Sequence, residues 1–192
     1  MPASIIPVTG LILGPVGSVS QTDYPLTTPR LINLTDTLIP SFGDALILNS
    51  NNTYSSVAQF ITVDSSSVTS TTPMAFAQAN VKTNTVYPTT GSGSISNSGV
   101  YPAGSECDAL TRGTMNVEVP YGTPAGAGAA VYIRTTFNGS YPNSGVGSIE
   151  GSSLSGNTLL ANGIVFKTGI LSTDPQTGQI TAQVTILNRL IP

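Results

Sequence analysis

Ile180-Thr-Ala-Gln-Val-Thr-Ile186 alternates apolar and polar side chains without a break. That period of two puts Ile180, Ala182, Val184 and Ile186 on one face of a strand and sends Thr181, Gln183 and Thr185 to the other. The same alternation recurs upstream. Met115, Val117 and Val119 alternate with Asn116 and Glu118, and in Ala129–Thr135 Val131 and Ile133 oppose Tyr132 and Arg134. Ile164 and Phe166 share a face within Ile164–Thr168, and Val146–Glu150 is a shorter candidate. Turn signals separate these segments at Pro120–Gly126, Asn138-Gly139, Tyr141–Gly145, Asn162-Gly163 and Asp174–Gly178. The two Asn-Gly steps are expected as type I′ turns. Short strands spaced by Gly/Pro turns predict an all-β fold: a small antiparallel β-sandwich or barrel, jelly-roll-like in outline.

Nearer the N-terminus, Ala45–Leu48 is expected as a strand closed by the turn cluster Asn49–Asn52. Tyr54–Val63 fits two readings: Val57, Ala58, Phe60 and Ile61 suit a strand as well as a two-turn helix, and their i, i+3, i+4 spacing favours the helix. Asp64–Thr72 is expected as a loop and Met74–Val81 as a weakly alternating strand. The interval 83–105 carries no charge and is dominated by Gly, Ser and Thr, which predicts a loop or excursion. The organisation expected is therefore an extended N-terminal arm over residues 1–41 and a β-domain over residues 42–192. Prolines at 2, 7, 15, 25, 29 and 40 fix φ and push the preceding residues toward extended geometry, so no helix runs through the arm. Its frequent Ile, Leu and Val are too many for a solvated linker. It packs either on its own domain or on another subunit.

Composition limits the chemistry. The 192 residues include no histidine, no tryptophan and one cysteine, and only 8% are charged, with a net charge of −3. Without histidine there is no Ser-His-Asp or Cys-His relay. One cysteine gives neither a disulfide framework nor a Cys-rich zinc site. Six scattered Lys and Arg make no footprint for nucleic acid, no stretch is long and apolar enough for a membrane span, and no basic start followed by an apolar h-region marks a secretion signal. The glycine-rich Gly122–Gly128 is followed by Ala129-Ala130 where a phosphate-binding loop needs Lys-Ser/Thr. Glu106 and Asp108 would share a strand face around Cys107, but two carboxylates fall short of the six to eight oxygens that Ca²⁺ takes. The expectation is a non-enzyme with no catalytic residue, no cofactor and no metal site.

What remains is a neutral surface. Ser and Thr together number 49, replacing charge on the outside. Such side chains cost less to desolvate than Lys or Glu, so a large contact can form without stranding buried charges. An ordered arm rich in proline adds area and loses little entropy on docking.

Three stretches then carry a resemblance. They are Gly14–Arg30 (GPVGSVSQTDYPLTTPR), Cys107–Thr114 (CDALTRGT) leading into Val117-Glu-Val and Ala130–Arg134 (AVYIR), and Phe166–Gly169 (FKTG) with Val184–Arg189 (VTILNR). In this order they resemble the structural cement, or decoration, proteins of tailed-bacteriophage capsids, over most of the chain and most weakly across Asp64–Ser105. The resemblance implies a β-rich protein on the outer surface of the phage head, made in the bacterial host cytoplasm. It would bind and bridge neighbouring major capsid protein subunits and stabilise the shell against internal genome pressure. It would also self-associate as a dimer or trimer. No catalytic residue is carried over. Candidate interface residues are Leu11, Ile12, Leu13, Val16, Val19, Tyr24, Pro25, Leu26, Pro29 and Arg30. A tail or fibre subunit and a small-ligand or glycan-binding β-module are the competing readings. The second is weakened by the lack of tryptophan and the 6% aromatic content.

Overall fold

The computed structural model describes residues 16–19, 25–79, 99–120, 126–141, 144–173 and 180–187. Among these, one 14-residue strand organises the rest. We number the strands β1 (Leu26–Leu31), β2 (Ala45–Leu48), β3 (Tyr54–Ser56), β4 (Met74–Ala77), β5 (Glu106–Val119), β6 (Ala130–Arg134), β7 (Ile149–Glu150), β8 (Thr158–Phe166), β9 (Ser172–Thr173) and β10 (Ile180–Ile186); α1 (Val57–Thr62) lies between β3 and β4. The order is β3-β2-β4-β5-β10-β8-β6-β7, with β1 added to β5 and β9 to β10, and every pairing of strands is antiparallel. The first half of β5 lies between β4 and β1, and its second half pairs with β10. β5 thus belongs to two curled layers at once.

Gly113 makes that possible. Before it, Leu110 points into the main core; after it, Met115, Val117 and Val119 do, so the inward parity has switched from even to odd. Gly113 sits at φ +116°, which an L side chain rarely adopts. β8 uses the same device. Ala161 points inward before Gly163 and Ile164 and Phe166 after it, with Gly163 at φ +77°. The Asn162-Gly163 step is therefore not a type I′ turn opening a strand. It is an irregularity inside β8, where the pairing with β6 shifts register between Ala130 and Tyr132. Asn138-Gly139 does lie in a turn, with Tyr141 N–H donating to Asn138 O at 2.9 Å, but neither residue has positive φ, so this turn is not type I′ either. The dipeptide supplies turn propensity. Long-range pairing decides which turn, or none, is made.

The main core lies between the layers and includes Ile47, Phe76, Leu110, Val117, Ile133, Phe166 and Val184. A second, smaller core fills the concave side of the N-terminal strands. Ile32, Leu46, Tyr54, Ala77, Tyr101, Cys107 and Ala109 meet there. The strands curl so far that Ile32, just past β1, forms a parallel bridge with Tyr54 of β3. The expected all-β sandwich or barrel is what the structure shows.

β2 has the expected bounds, and the expected helix is α1, capped by Ser56, whose hydroxyl accepts from Gln59 N–H at 3.1 Å. β4 ends at Ala77, short of the expected Val81. Residues 83–98 of the uncharged interval lie outside the described residues. Its last part returns to the sheet, where Val100 bridges Ser41 and Tyr101 is buried. Of the expected arm, Val19 bridges Met115, Gly17 N–H donates to Asn116 O at 2.8 Å, and β1 lies along Glu106–Arg112.

Arg134 differs from its sequence reading. Its phase opposite Val131 and Ile133 suggests an outward side chain, yet it is fully buried, paired with the equally buried Glu150 of β7. Ser144 bonds both partners, and the Tyr141 ring lies 5.7 Å from the guanidinium carbon. The 144–150 segment folds over that face and encloses the pair.

Candidate functional site

Leu26, Leu31, Leu34, Leu38 and Ile39 are five of the ten large apolar side chains exposed among the described residues, and they fall within fourteen positions. Leu34 is 78% exposed. The segment is held at both ends. β1 is hydrogen-bonded to β5 from Leu26 to Leu31, and Pro29, opposite Asp108, lacks an N–H to donate, as suits a strand at a sheet edge. Arg30 lies half-buried, donating to Asn52 Oδ1, with its guanidinium carbon 6.0 Å from the Tyr54 ring.

Beyond β1 the chain turns, with Asp36 N–H donating to Asn33 O at 3.1 Å. The buried Gln59 of α1 fixes the next two residues. Its Oε1 accepts from Thr37 N–H at 3.1 Å and Leu38 N–H at 3.0 Å, while its Nε2 donates to Asp64 Oδ1 at 3.0 Å. Ser56 Oγ donates to Leu38 O at 2.9 Å. With the Thr37 and Leu38 backbone groups satisfied from below, the loop that carries the exposed Leu34 is held on a fixed frame. The charge on this stretch is one partnered arginine and one carboxyl, Asp36, which is buried. Burial, with the charge of Asp64 adding to it against a bond from Ser55, pushes the Asp36 carboxyl above its usual range.

Four candidates from the sequence, Pro25, Leu26, Pro29 and Arg30, come together on or beside β1. Val16 and Val19 lie further along β5, both half-buried, and Val19 packs against the main core. Leu11, Ile12, Leu13 and Tyr24 lie outside the described residues. Sequence reasoning misses Leu31, Leu34, Leu38 and Ile39. The signal for Leu34, Leu38 and Ile39 is apolar side chains inside the turn-rich stretch Asn33–Pro40, where a loop would ordinarily be polar.

Among the described residues no group of three or more potential ligands could hold a metal ion, and no helix is long and apolar enough to cross a membrane. Cys107 is buried, and its thiol is pushed up to about 12 by burial, with the Asp108 charge adding to it, which removes its nucleophilic form at neutral pH.

The family model described as structural cement protein (E217 gp24/Pam3 gp6) matches residues 14–186. The chain belongs to the structural cement protein family. No curated protein sequence matches it. Among solved structures, a chain from the capsid of Myoviridae phage XM1 is similar at 15% identity, with a TM-score of 0.51, over 97% of this cement protein and 96% of that chain. At that identity the likeness is one of fold. The family match runs through Val16, Val19, β1, all of β5 and β10, so every described candidate interface residue falls within it.

Proposed function

We propose that this cement protein sits on the outer surface of a tailed-phage head, binds the major capsid protein, and bridges neighbouring subunits so that the shell withstands genome pressure. The observation that carries this reading is the exposed apolar set Leu26, Leu31 and Leu34 on a frame pinned by β5 and Gln59. Apolar groups held rigid before contact lose little entropy on docking, and the scarcity of charge leaves few ions to desolvate. Many copies, each touching two capsid subunits, add their contact energies to the resistance against separating them. In the same reading the protein self-associates as a dimer or trimer at local symmetry axes, and it is made in the host cytoplasm before it joins the virion.

Binding to purified heads tests the proposal. Leu34→Asp and Leu31→Asp alter exposed positions and leave the fold intact, as circular dichroism would confirm. Each should weaken co-sedimentation with heads at least tenfold, about 1.4 kcal/mol. Undiminished binding by both variants would exclude this surface as the contact. Recovery of the protein from isolated tails, with none on heads, would assign it to a tail or fibre instead.

A further inference from the structure

Two clefts meet at Asp44. The larger, about 440 Å³, is walled mainly by Leu38, Ile39, Ala45, Val57, Ala58 and Val146. The smaller, about 210 Å³, has Val16, Phe42, Gly43 and Ile149 among its lining residues, with Glu118 at its side. Asp44 and Ser148 line both, so the two clefts form one groove between the β2–α1 side and the 146–149 segment. Leu38 and Ile39 are each 41% exposed, so much of the wall is apolar surface left open to water.

The position of Val16 indicates what covers it. Val16 lines the smaller cleft and packs against Gly43, where an added Cβ would come within 2.5 Å of Val16 Cγ1. Gly17 and Ser18 are held to β5, through Gly17 N–H to Asn116 O at 2.8 Å and Asn116 N–H to Ser18 O at 3.0 Å. The segment joined to Val16 is therefore tethered at the groove. It reads Ile5-Ile-Pro-Val-Thr-Gly-Leu-Ile-Leu13, and no charged side chain occurs before Asp23. Leu11 is five residues from Val16, within about 18 Å at full extension. A segment tethered this closely has an effective concentration on the order of millimolar, whereas a second copy must supply the same segment from bulk. Asp44 and Glu118 at the junction would disfavour an acidic occupant, and this segment has no carboxylate side chain.

We infer that Leu11, Ile12 and Leu13 fill the groove of their own chain, packing on Leu38, Ile39, Val57, Ala58 and Val146. The leading segment is then part of the structural frame. It buttresses the back of the loop that presents Leu34, and the outward contact surface begins at Leu26. This reading does not depend on what the outward surface binds.

Introduced probes give clean signals, because the chain has no tryptophan and its one cysteine is buried. Ile12→Cys combined with Ala58→Cys should oxidise to an intrachain disulfide, at a rate unaffected by dilution. An interchain bond would overturn the inference and give the groove to a second copy; the absence of any bond would overturn it as well. Independently, the indole introduced by Ile12→Trp should emit at shorter wavelength than in a free peptide of residues 1–20, and acrylamide should quench it several-fold less. Adding Ala58→Glu should abolish that protection. An indole in the intact chain as accessible as in the peptide would overturn the inference.

Discussion

Gly113 and Pro25 touch where β5 passes from one layer to the other: a Cβ on Gly113 would lie 3.0 Å from Pro25 Cα. Gly113 has φ +116°, so backbone conformation and space both reserve the position for glycine. Gly113→Ala should destabilise the fold by about 1–3 kcal/mol, read as a lower urea midpoint. It should also loosen β1, seen as faster amide exchange at Thr27 and Thr28. A variant as stable as the parent would mean that the crossing point tolerates a side chain.

Gln59 should matter more to the loop after β1 than to the core. Gln59→Ala leaves the Thr37 and Leu38 amides without their acceptor, costing about 1–3 kcal/mol locally. Exchange of those two amides should accelerate by about tenfold or more, with the slowest-exchanging amides of β5 and β10 little changed. Gln59→Glu keeps the acceptor but loses the donor to Asp64, so it should protect the two amides better than alanine does. Equal protection in all three proteins would show that the amide of Gln59 does not hold the loop.

The Arg134–Glu150 pair is fully buried, and removing one member strands the other. Arg134→Met should cost about 3–5 kcal/mol, and Glu150→Leu alone a similar amount. The double replacement should recover most of the loss, because no lone charge is left inside. A thermal unfolding series measures this, and additive losses in the double variant would contradict it.

Acidification should stabilise the protein over a defined range. The Asp44 carboxyl is pushed up to about 6, chiefly by burial; the 2.7 Å bond it accepts from Ser41 N–H opposes this and the Glu118 charge adds to it. Burial also raises Glu118, and Asp36 is raised as well. The folded state then holds protons that the unfolded chain releases, so stability falls as pH rises from about 4 to about 6. For Asp44 the change is about 2–3 kcal/mol. Asp44→Asn should remove most of this slope, leaving the smaller parts due to Glu118 and Asp36. Urea midpoints from pH 4 to 7 would show it, and a midpoint that rises with pH would contradict the assignment.

Attachment to heads should be nearly indifferent to ionic strength, since the surface carries one partnered arginine and exposed leucines. Raising salt to about 1 M should change affinity by less than about threefold. A steep decline in a salt titration would point to ion pairs as the main contact.

How much of the fold and the candidate site is legible in the sequence depends on the range of the forces involved. Ala45–Leu48 and Ile180–Ile186 declare themselves because local pattern and final environment agree. The full length of β5 does not, because Gly113 reverses its inward phase and divides one strand into two apparent fragments. Asn162-Gly163 looks like a turn for a sound local reason, and only pairing with β6 keeps the strand running through it. Arg134 reads as exposed because nothing near it in sequence announces the enclosing 144–150 segment. At the candidate site, the prolines mark Pro25–Arg30 as extended, and Leu26–Leu31 is a strand. The firmness of the loop after β1 rests on Gln59, more than twenty positions from Thr37, and no local pattern encodes that link.

The ladder between β1 and β5 pairs six residues on each strand in antiparallel register. A tug directed along β1 therefore shears all of these rungs together, whereas a tug across the strand would peel them one by one. If the protein's neighbours pull on Leu26–Leu31 lengthwise, the joint yields only when the whole ladder gives way, and the tension passes down β5 into β10.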